Sequence, residues 1–236
     1  MQWKTPGGSA SVLLLDILEQ HHTLIAGTTG SGKSVLMNGI IYTALYKAPC
    51  QVNFIFIDTK FTEQRLYCNL PHTIQYINDP NEAGQTLEKV LQETRRRVQQ
   101  AAAQHLKKSN EKDLYIFIDE LSDLIFSDQK IVKTLGQIAM IGRAAKVHII
   151  AGTQCPNRKT LSAEFAANCT ARIGLRCRDA IESRQIIGNN AAASLPFIGY
   201  GYYLTPKLLT PELVKIPYIN DDELLNRVRF WKNQKQ

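Results

Sequence analysis

Gly27-Thr28-Thr29-Gly30-Ser31-Gly32-Lys33-Ser34 decides the fold. These eight residues fit the pattern G-x-x-x-x-G-K-[ST], and their flanks fit the strand–turn–helix context that the pattern needs. Before them, Thr23-Leu24-Ile25-Ala26 reads as a short buried strand. After them, Val35 to Tyr46 places Leu36, Ile40, Ile41 and Ala44 on one helical face. Glycines let such a turn curl until successive N–H groups point at one oxyanion, and the helix N-terminus adds its partial positive charge. A lysine at position 33 then reaches β- and γ-phosphates, and the Ser34 hydroxyl holds Mg²⁺. The candidate ATP-binding set is Gly27, Thr28, Thr29, Gly30, Ser31, Gly32, Lys33, Ser34 and Val35, with ATP and Mg²⁺ as the cofactors.

A chain of 236 residues, 44% of them hydrophobic, is long enough for one substantial α/β domain and short for two. No apolar stretch approaches the roughly 20 residues that span a bilayer. The opening Met1-Gln2-Trp3-Lys4-Thr5-Pro6-Gly7-Gly8 lacks the apolar core of a secretion signal. Cys50, Cys68, Cys155, Cys169 and Cys177 are odd in number and form no C-x-x-C pair. They read as reduced thiols of a cytoplasmic protein, without a zinc site or a disulfide framework. The net charge of +7 is unevenly spread: Arg143, Lys146, Arg158, Lys159, Arg172, Arg176, Arg178 and Arg184 are opposed within their stretch only by Glu164, Asp179 and Glu182. Such a surplus suits a polyanionic partner, and equally a solvated surface with intersubunit charges.

Short apolar runs alternate with helical patterns, the signature of an α/β fold with a mostly parallel sheet and helices on both faces. The predicted strands are Val12–Leu15, Thr23–Ala26, Val52–Ile57, Leu114–Ile118, Val147–Ala151 and Ala171–Leu175. Most are near-continuous apolar runs, as strands buried on both faces should be. A helix is predicted from Asp79-Pro80-Asn81-Glu82, with Asp79 as cap, Pro80 in the first turn and Glu82 completing a capping box. Leu87, Val90, Leu91, Thr94 and Val98 continue its stripe towards Leu106. Arg95-Arg96-Arg97 on that helix reads chiefly as a solvated or intersubunit face, because consecutive residues point in different directions. Asp221 to Trp231 reads as an amphipathic helix docking through Leu224, Leu225, Val228 and Trp231.

Leu114-Tyr115-Ile116-Phe117-Ile118-Asp119-Glu120 is an apolar strand ending in two acids. Beside a phosphate-binding loop, the first acid is expected to hold Mg²⁺ with Ser34, and the second to polarise the attacking water. Thr153-Gln154 follows another apolar strand, where a polar side chain can sense the γ-phosphate or orient the water. His148 inside that strand reads as a hydrogen-bonded core histidine. His21, His22, His72 and His105 have no metal-ligand spacing.

Taken together, these blocks resemble the motor domain of the FtsK/SpoIIIE family of DNA translocases, and the resemblance runs almost end to end. His22 to Val35 is similar to that family's phosphate loop with its flanks, and Phe56-Ile57-Asp58-Thr59-Lys60 to its strand-end Asp-Pro-Lys segment, with Thr59 in place of proline. Ile118-Asp119-Glu120-Leu121-Ser122-Asp123-Leu124 resembles its Asp-Glu-x-x-Asp-Leu block. Gly142 to Gln154 resembles its Arg-Ala-x-x-x-His strand ending in Thr-Gln, while Ala171-Arg172-Ile173 and Ser183-Arg184-Gln185-Ile186-Ile187 fit later blocks. The resemblance implies a RecA-like P-loop ATPase working as a homo-oligomeric ring, a hexamer, that moves double-stranded DNA through a central channel. It implies that Lys33 binds phosphate, Ser34 and Asp119 hold the metal, Glu120 activates water and Gln154 senses the γ-phosphate. An arginine from the next subunit completes each site in such rings, with Arg143 the first choice and Arg172 the second. Arg184 fits a DNA-facing arginine. Cys155 stands where arginine is usual after Thr-Gln, and Ala166 and Ala180 where DNA-touching lysines are expected, so Arg158, Lys159, Arg176 and Arg178 are assigned to replace them. The family's membrane-spanning N-terminus, α domain and winged-helix tail have no counterpart here, and the expectation is one motor domain over residues 1–236. Two other readings stay open: a ring ATPase moving protein cargo, as in type VII secretion, and a nucleotide-dependent adaptor ring with little turnover.

Overall fold

The computed structural model describes residues 2–4, 12–14, 20–60, 64–156, 161–196 and 198–234. Two short strands near the N-terminus, β1 (Gln2–Lys4) and β2 (Val12–Leu14), pair antiparallel with each other, Trp3 opposite Leu13. The strand expected at residues 12–15 therefore lies outside the main sheet, and Leu15 falls outside the described residues.

The main sheet has eight strands. In chain order the elements are β3 (His22–Ala26), α1 (Lys33–Lys47), β4 (Val52–Ile57), β5 (Thr73–Ile77), α2 (Pro80–Ala103), β6 (Asp113–Ile118), α3 (Leu121–Ser127) and α4 (Lys130–Ala145). They continue with β7 (Val147–Thr153), α5 (Ala163–Asn168), β8 (Ala171–Gly174), α6 (Ala180–Ile187), β9 (Tyr200–Leu204), β10 (Glu212–Lys215) and α7 (Asp221–Asn233). The order across the sheet is β10-β9-β8-β3-β7-β6-β4-β5, parallel from β8 to β5 and antiparallel at β9 and β10. The expected parallel strands hold to within two residues. The sequence reading lacked β5, β9 and β10, which lie at the sheet's two edges. Their residues are only partly buried and do not form the apolar runs that mark the centre.

Alternation along each strand feeds two cores. Leu24, Ile116 and Ile149 face α2 and α4, whereas Ile25, Phe54, Phe117 and Ile150 face α1 and α7. Helices thus cover both faces. The docking of α7 through Leu224 and Val228 is as expected.

Helix α2 begins as predicted, with Asp79 Oδ1 accepting from the Asn81 backbone N–H at 2.9 Å. The capping box is corrected: Glu82 instead accepts from Gln75 Nε2 at 2.9 Å, tying the helix to β5. Its arginine run also needs correction. Arg96 lies outside and pairs with Glu93 and Glu111. Arg97, however, is buried: Nε meets Glu93 at 2.9 Å and Nη1 donates to the carbonyls of Lys112 and Ala145. This side chain joins α2 to the starts of β6 and β7, so one residue of the triplet is a core clamp.

Candidate active site

Because the parallel strands share one direction, the loops following β3, β6, β7 and β8 gather at the same end of the sheet. The turn after β3 is sewn to its neighbours there. The Gly27 N–H donates to Thr153 O at 3.2 Å, and the Thr28 N–H and hydroxyl both donate to Arg176 O, at 2.9 and 3.1 Å. Gly30 has φ 76° and Gly32 φ 100°, the left-handed region where glycine carries little penalty. A Cβ at either would meet open space, so it is conformation, and not crowding, that requires glycine there. Ser31 Oγ is buried with no hydrogen-bond partner among the described residues. Ser34 and Val35 form the first turn of α1 beside it.

Lys33 and Glu120 meet inside this end, Nζ to Oε2 at 3.2 Å, their side chains 8% and 2% exposed. Glu120 also accepts the backbone N–H of Ser122, which makes it the cap of α3, and that of Gln154 at 3.0 Å. Its carboxylate is thus fixed by three elements at once. Gln154 turns its side chain the other way, Oε1 accepting from the Thr29 hydroxyl at 3.0 Å. The sequence-predicted Lys33, Glu120, Gln154 and Thr29 are therefore brought together in one connected group. Asp119 is buried next to them, its N–H bonded to Ile57 O. A backbone carbonyl of Asp119 would lie 2.5 Å from a Cβ placed on Gly152, and Met37 Cε 2.6 Å from it. Gly152 is thus required by close approach, a demand with no trace in the local sequence.

Two more contacts complete this end of the sheet. Ser122 Oγ and Thr153 Oγ1 are 2.8 Å apart. Lys60 pairs with Asp123 at 3.2 Å; burial alone would lower its pKa, but Asp123, with Glu120 and Asp119 beyond it, outweighs this and raises it. The Asp-Thr-Lys segment after β4 carried the signal for this pair, though its partner could not be read from the chain.

The arginines divide between the two ends of the molecule. Arg143, in the last turn of α4, is exposed where β7 begins, at the far end of the sheet from the phosphate loop. Arg172 is committed within its own chain: its guanidinium donates to the carbonyls of Ala166 and Cys169 at the end of α5. Of the residues assigned to DNA, Arg158 and Lys159 lie outside the described residues. Arg176 is exposed beside the phosphate loop. Arg178 pairs with Glu182 at 3.1 Å and Asp179 at 3.7 Å, and Arg184, on the exposed side of α6, donates from Nε to Asn190 Oδ1 at 2.6 Å.

His148 is the core histidine expected from the sequence, Nε2 lying 2.8 Å from Asp113 Oδ1. Among the described residues no group of three or more His, Cys, Asp or Glu side chains could hold a metal on its own. No helix among them is long and apolar enough to cross a membrane.

Residues 5–116 match the FtsK/SpoIIIE family model. Proteins named DNA translocase FtsK are similar over nearly the whole chain. That of Helicobacter pylori (strain J99) is 34% identical over 241 residues, covering 94% of this chain and 28% of the relative. That of Leptospira interrogans (serovar copenhageni) is 33% identical, covering 92% and 25%. The chain thus spans about a quarter to a third of the length of these relatives. Among solved structures, the pCW3 conjugation coupling protein TcpA with ATPγS superposes with a TM-score of 0.83 at 21% identity, covering 98% of this chain and 69% of that one. The cytoplasmic domain of the Thermomonospora curvata type VII secretion ATPase EccC gives 0.82 at 22% identity, covering 98% and 30%. By these matches, this chain carries a P-loop ATPase-fold domain of the FtsK/SpoIIIE family.

Proposed function

We propose that this domain is an ATP-hydrolysing motor that moves double-stranded DNA, working as a ring of identical subunits. The observation that carries the reading is the convergence of Lys33, Glu120, Gln154 and Thr29 at the carboxyl end of the parallel sheet. The naming of the relatives as DNA translocases directs it to DNA. The left-handed Gly30 and Gly32, and the Ser31 hydroxyl with no hydrogen-bond partner among the described residues, fit a turn built to wrap a phosphate group. Hydroxyl and carboxylate oxygens of Ser34 and Asp119 suit a hard cation such as Mg²⁺. When bound, ATP and its cation supply the scissile phosphoanhydride and neutralise charge on its oxygens.

The chain's own residues do the rest. Lys33 and the loop N–H groups bind and orient the phosphates. Glu120, held by three donors, takes a proton from the attacking water. Gln154, bonded through its amide oxygen to Thr29, keeps its amide nitrogen for the γ-phosphate side. Lys33 cannot serve a phosphate while it is closed on Glu120, so opening that 3.2 Å pair belongs to the working cycle. Arg143 acts on the nucleotide of the next subunit, consistent with its distance from the loop of its own chain. Arg184, with Arg158, Lys159, Arg176 and Arg178, contacts the phosphates of DNA. ATP turnover measured with and without long duplex DNA tests the proposal. Strong stimulation by DNA is the expected result. Turnover indifferent to DNA points to protein cargo, and negligible turnover in both points to an adaptor ring.

A further inference from the structure

Lys60 stands three residues beyond β4, and the steps assigned to Lys33, Glu120 and Gln154 make no use of it. β4 and β6 run side by side, Ile57 opposite Ile118, and the Asp119 N–H donates to the Ile57 carbonyl at 3.1 Å. The chain leaving β4 therefore starts beside the Asp119–Glu120 pair. On the other flank of β6 runs β7, and the backbone N–H of Gln154, just past it, donates to Glu120. Lys60 thus comes to the acids from the side opposite Gln154, and its Nζ meets Asp123 Oδ2 at 3.2 Å. Burial lowers its pKa, but Asp123, then Glu120 and Asp119, raise it by more than burial lowers it. Both acids of the strand end therefore lie within electrostatic reach of this ammonium group, although its direct partner is Asp123.

The two lysines of this corner are held differently. Lys33 and Glu120 are 8% and 2% exposed, whereas Lys60 and Asp123 are 40% and 41% exposed. An ion pair open to solvent contributes little, so Lys60 is easily drawn away from Asp123. When Lys33 turns from Glu120 to the phosphates, the corner keeps two carboxylates and gains a triphosphate, whose charge a divalent cation offsets only in part. Like charges this close repel strongly in a partly buried site, and a cation on the β4 flank reduces that repulsion. We propose that Lys60 is a second lysine of the nucleotide site, which exchanges Asp123 for the γ-phosphate when ATP is bound. The inference rests on the ATPase reading and deepens it. Glu120 acts on the attacking water, so the terminal phosphate lies on the Glu120 side of the nucleotide. A cation arriving from that side touches the γ-phosphate rather than the α or β, and Lys60 thereby sorts ATP from ADP.

The test is calorimetric titration of the protein, with Mg²⁺ present, by a non-hydrolysable ATP analogue and by ADP. Lys60→Ala should weaken binding of the analogue about tenfold and leave that of ADP unchanged, and Lys60→Arg should restore most of the loss. Asp123→Asn releases the lysine and should act in the opposite direction, tightening the analogue about two- to fivefold. That gain should vanish in the Lys60→Ala/Asp123→Asn protein. Both side chains are well exposed, so the variants should fold, and denaturant melts check this. A pair that merely pins the β4 loop to α3 predicts something else. Both single variants would then weaken analogue and ADP alike, and that result overturns the proposal. So does an unchanged analogue affinity in Lys60→Ala. Tightening by Asp123→Asn that survives without Lys60 overturns it too, since it would reflect only repulsion relieved at a distance. Wild-type protein that binds the analogue but turns over no ATP, with or without DNA, would refute the motor while the Lys60 comparison stood, because these arms read binding alone.

Discussion

Individual side chains at the strand ends are used more than once, and this makes their removal informative. Lys33→Ala deletes the cation of the phosphate loop and should weaken ATP binding about 10–100-fold, measured by calorimetry. ATP binding as tight as in the unaltered protein would remove the basis for the loop's role. Glu120→Gln keeps shape but cannot accept a proton. It should bind ATP and turn over about 10²–10⁴-fold more slowly, whereas loss of binding without loss of turnover per bound ATP would make Glu120 structural. Gly152→Ala places a methyl group 2.5 Å from the Asp119 carbonyl. Such overpacking against backbone should cost about 1–3 kcal/mol, read in a denaturant melt, and should displace the Asp119–Glu120 corner. The first two residues were legible in the sequence because the G-x-x-x-x-G-K-[ST] and Asp-Glu motifs are local. Gly152 was not, because its constraint comes from a strand distant in the chain.

Among the secondary-structure elements, α2 gives the sharpest expectation. Arg97 is buried against two carbonyls and Glu93, so Arg97→Ala leaves buried acceptors unmet and should destabilise by about 2–4 kcal/mol; the exposed Arg96→Ala should change the melting temperature little. Glu93 lies between both guanidiniums, and hydrogen bonds from Arg96, then Arg97, lower its pKa to about 2 against partial burial. A carboxylate depressed in the folded state stabilises fully above its unfolded value, near 4.5. That contribution is lost as pH falls towards 2. Glu93→Gln should therefore flatten the acid side of the stability curve in that window, and an unchanged slope would show that the cluster contributes nothing. The same helix marks how far sequence reading reached. Periodicity and the Asp79-Pro80 start located it, since both are intrinsic to one element. The partner of Glu82 and the burial of Arg97 were hidden, because β5 and the start of β7 decide them. The edge strands β5, β9 and β10 were missed for a related reason: partial burial leaves them without the apolar run that identified the central strands.

For the whole molecule the two ends of the sheet matter together. Arg143→Ala should leave ATP binding by single subunits intact yet lower turnover about 10³–10⁵-fold, and mixing with Lys33→Ala protein should recover part of it; no recovery at any ratio would place the arginine's role within its own subunit. On the DNA side, Arg184→Ala should weaken binding equally for unrelated duplexes and flatten the log–log salt dependence by about one unit. Salt-insensitive binding would exclude the phosphate contact. Strand β7 has a bearing on how such parts could act in concert. Its seven residues are all buried, and it runs from the Arg143 corner to the Thr153 carbonyl that anchors Gly27. At about 3.3 Å per residue this is a strut of roughly 20 Å, clamped by β3 on one side and β6 on the other. Buried on both faces and paired on both sides, such a strand resists bending. In the ring proposed above, a change at one subunit's loop would then reach its neighbour as a movement of the sheet as a unit, carried by the joints between subunits rather than by bending of this strand.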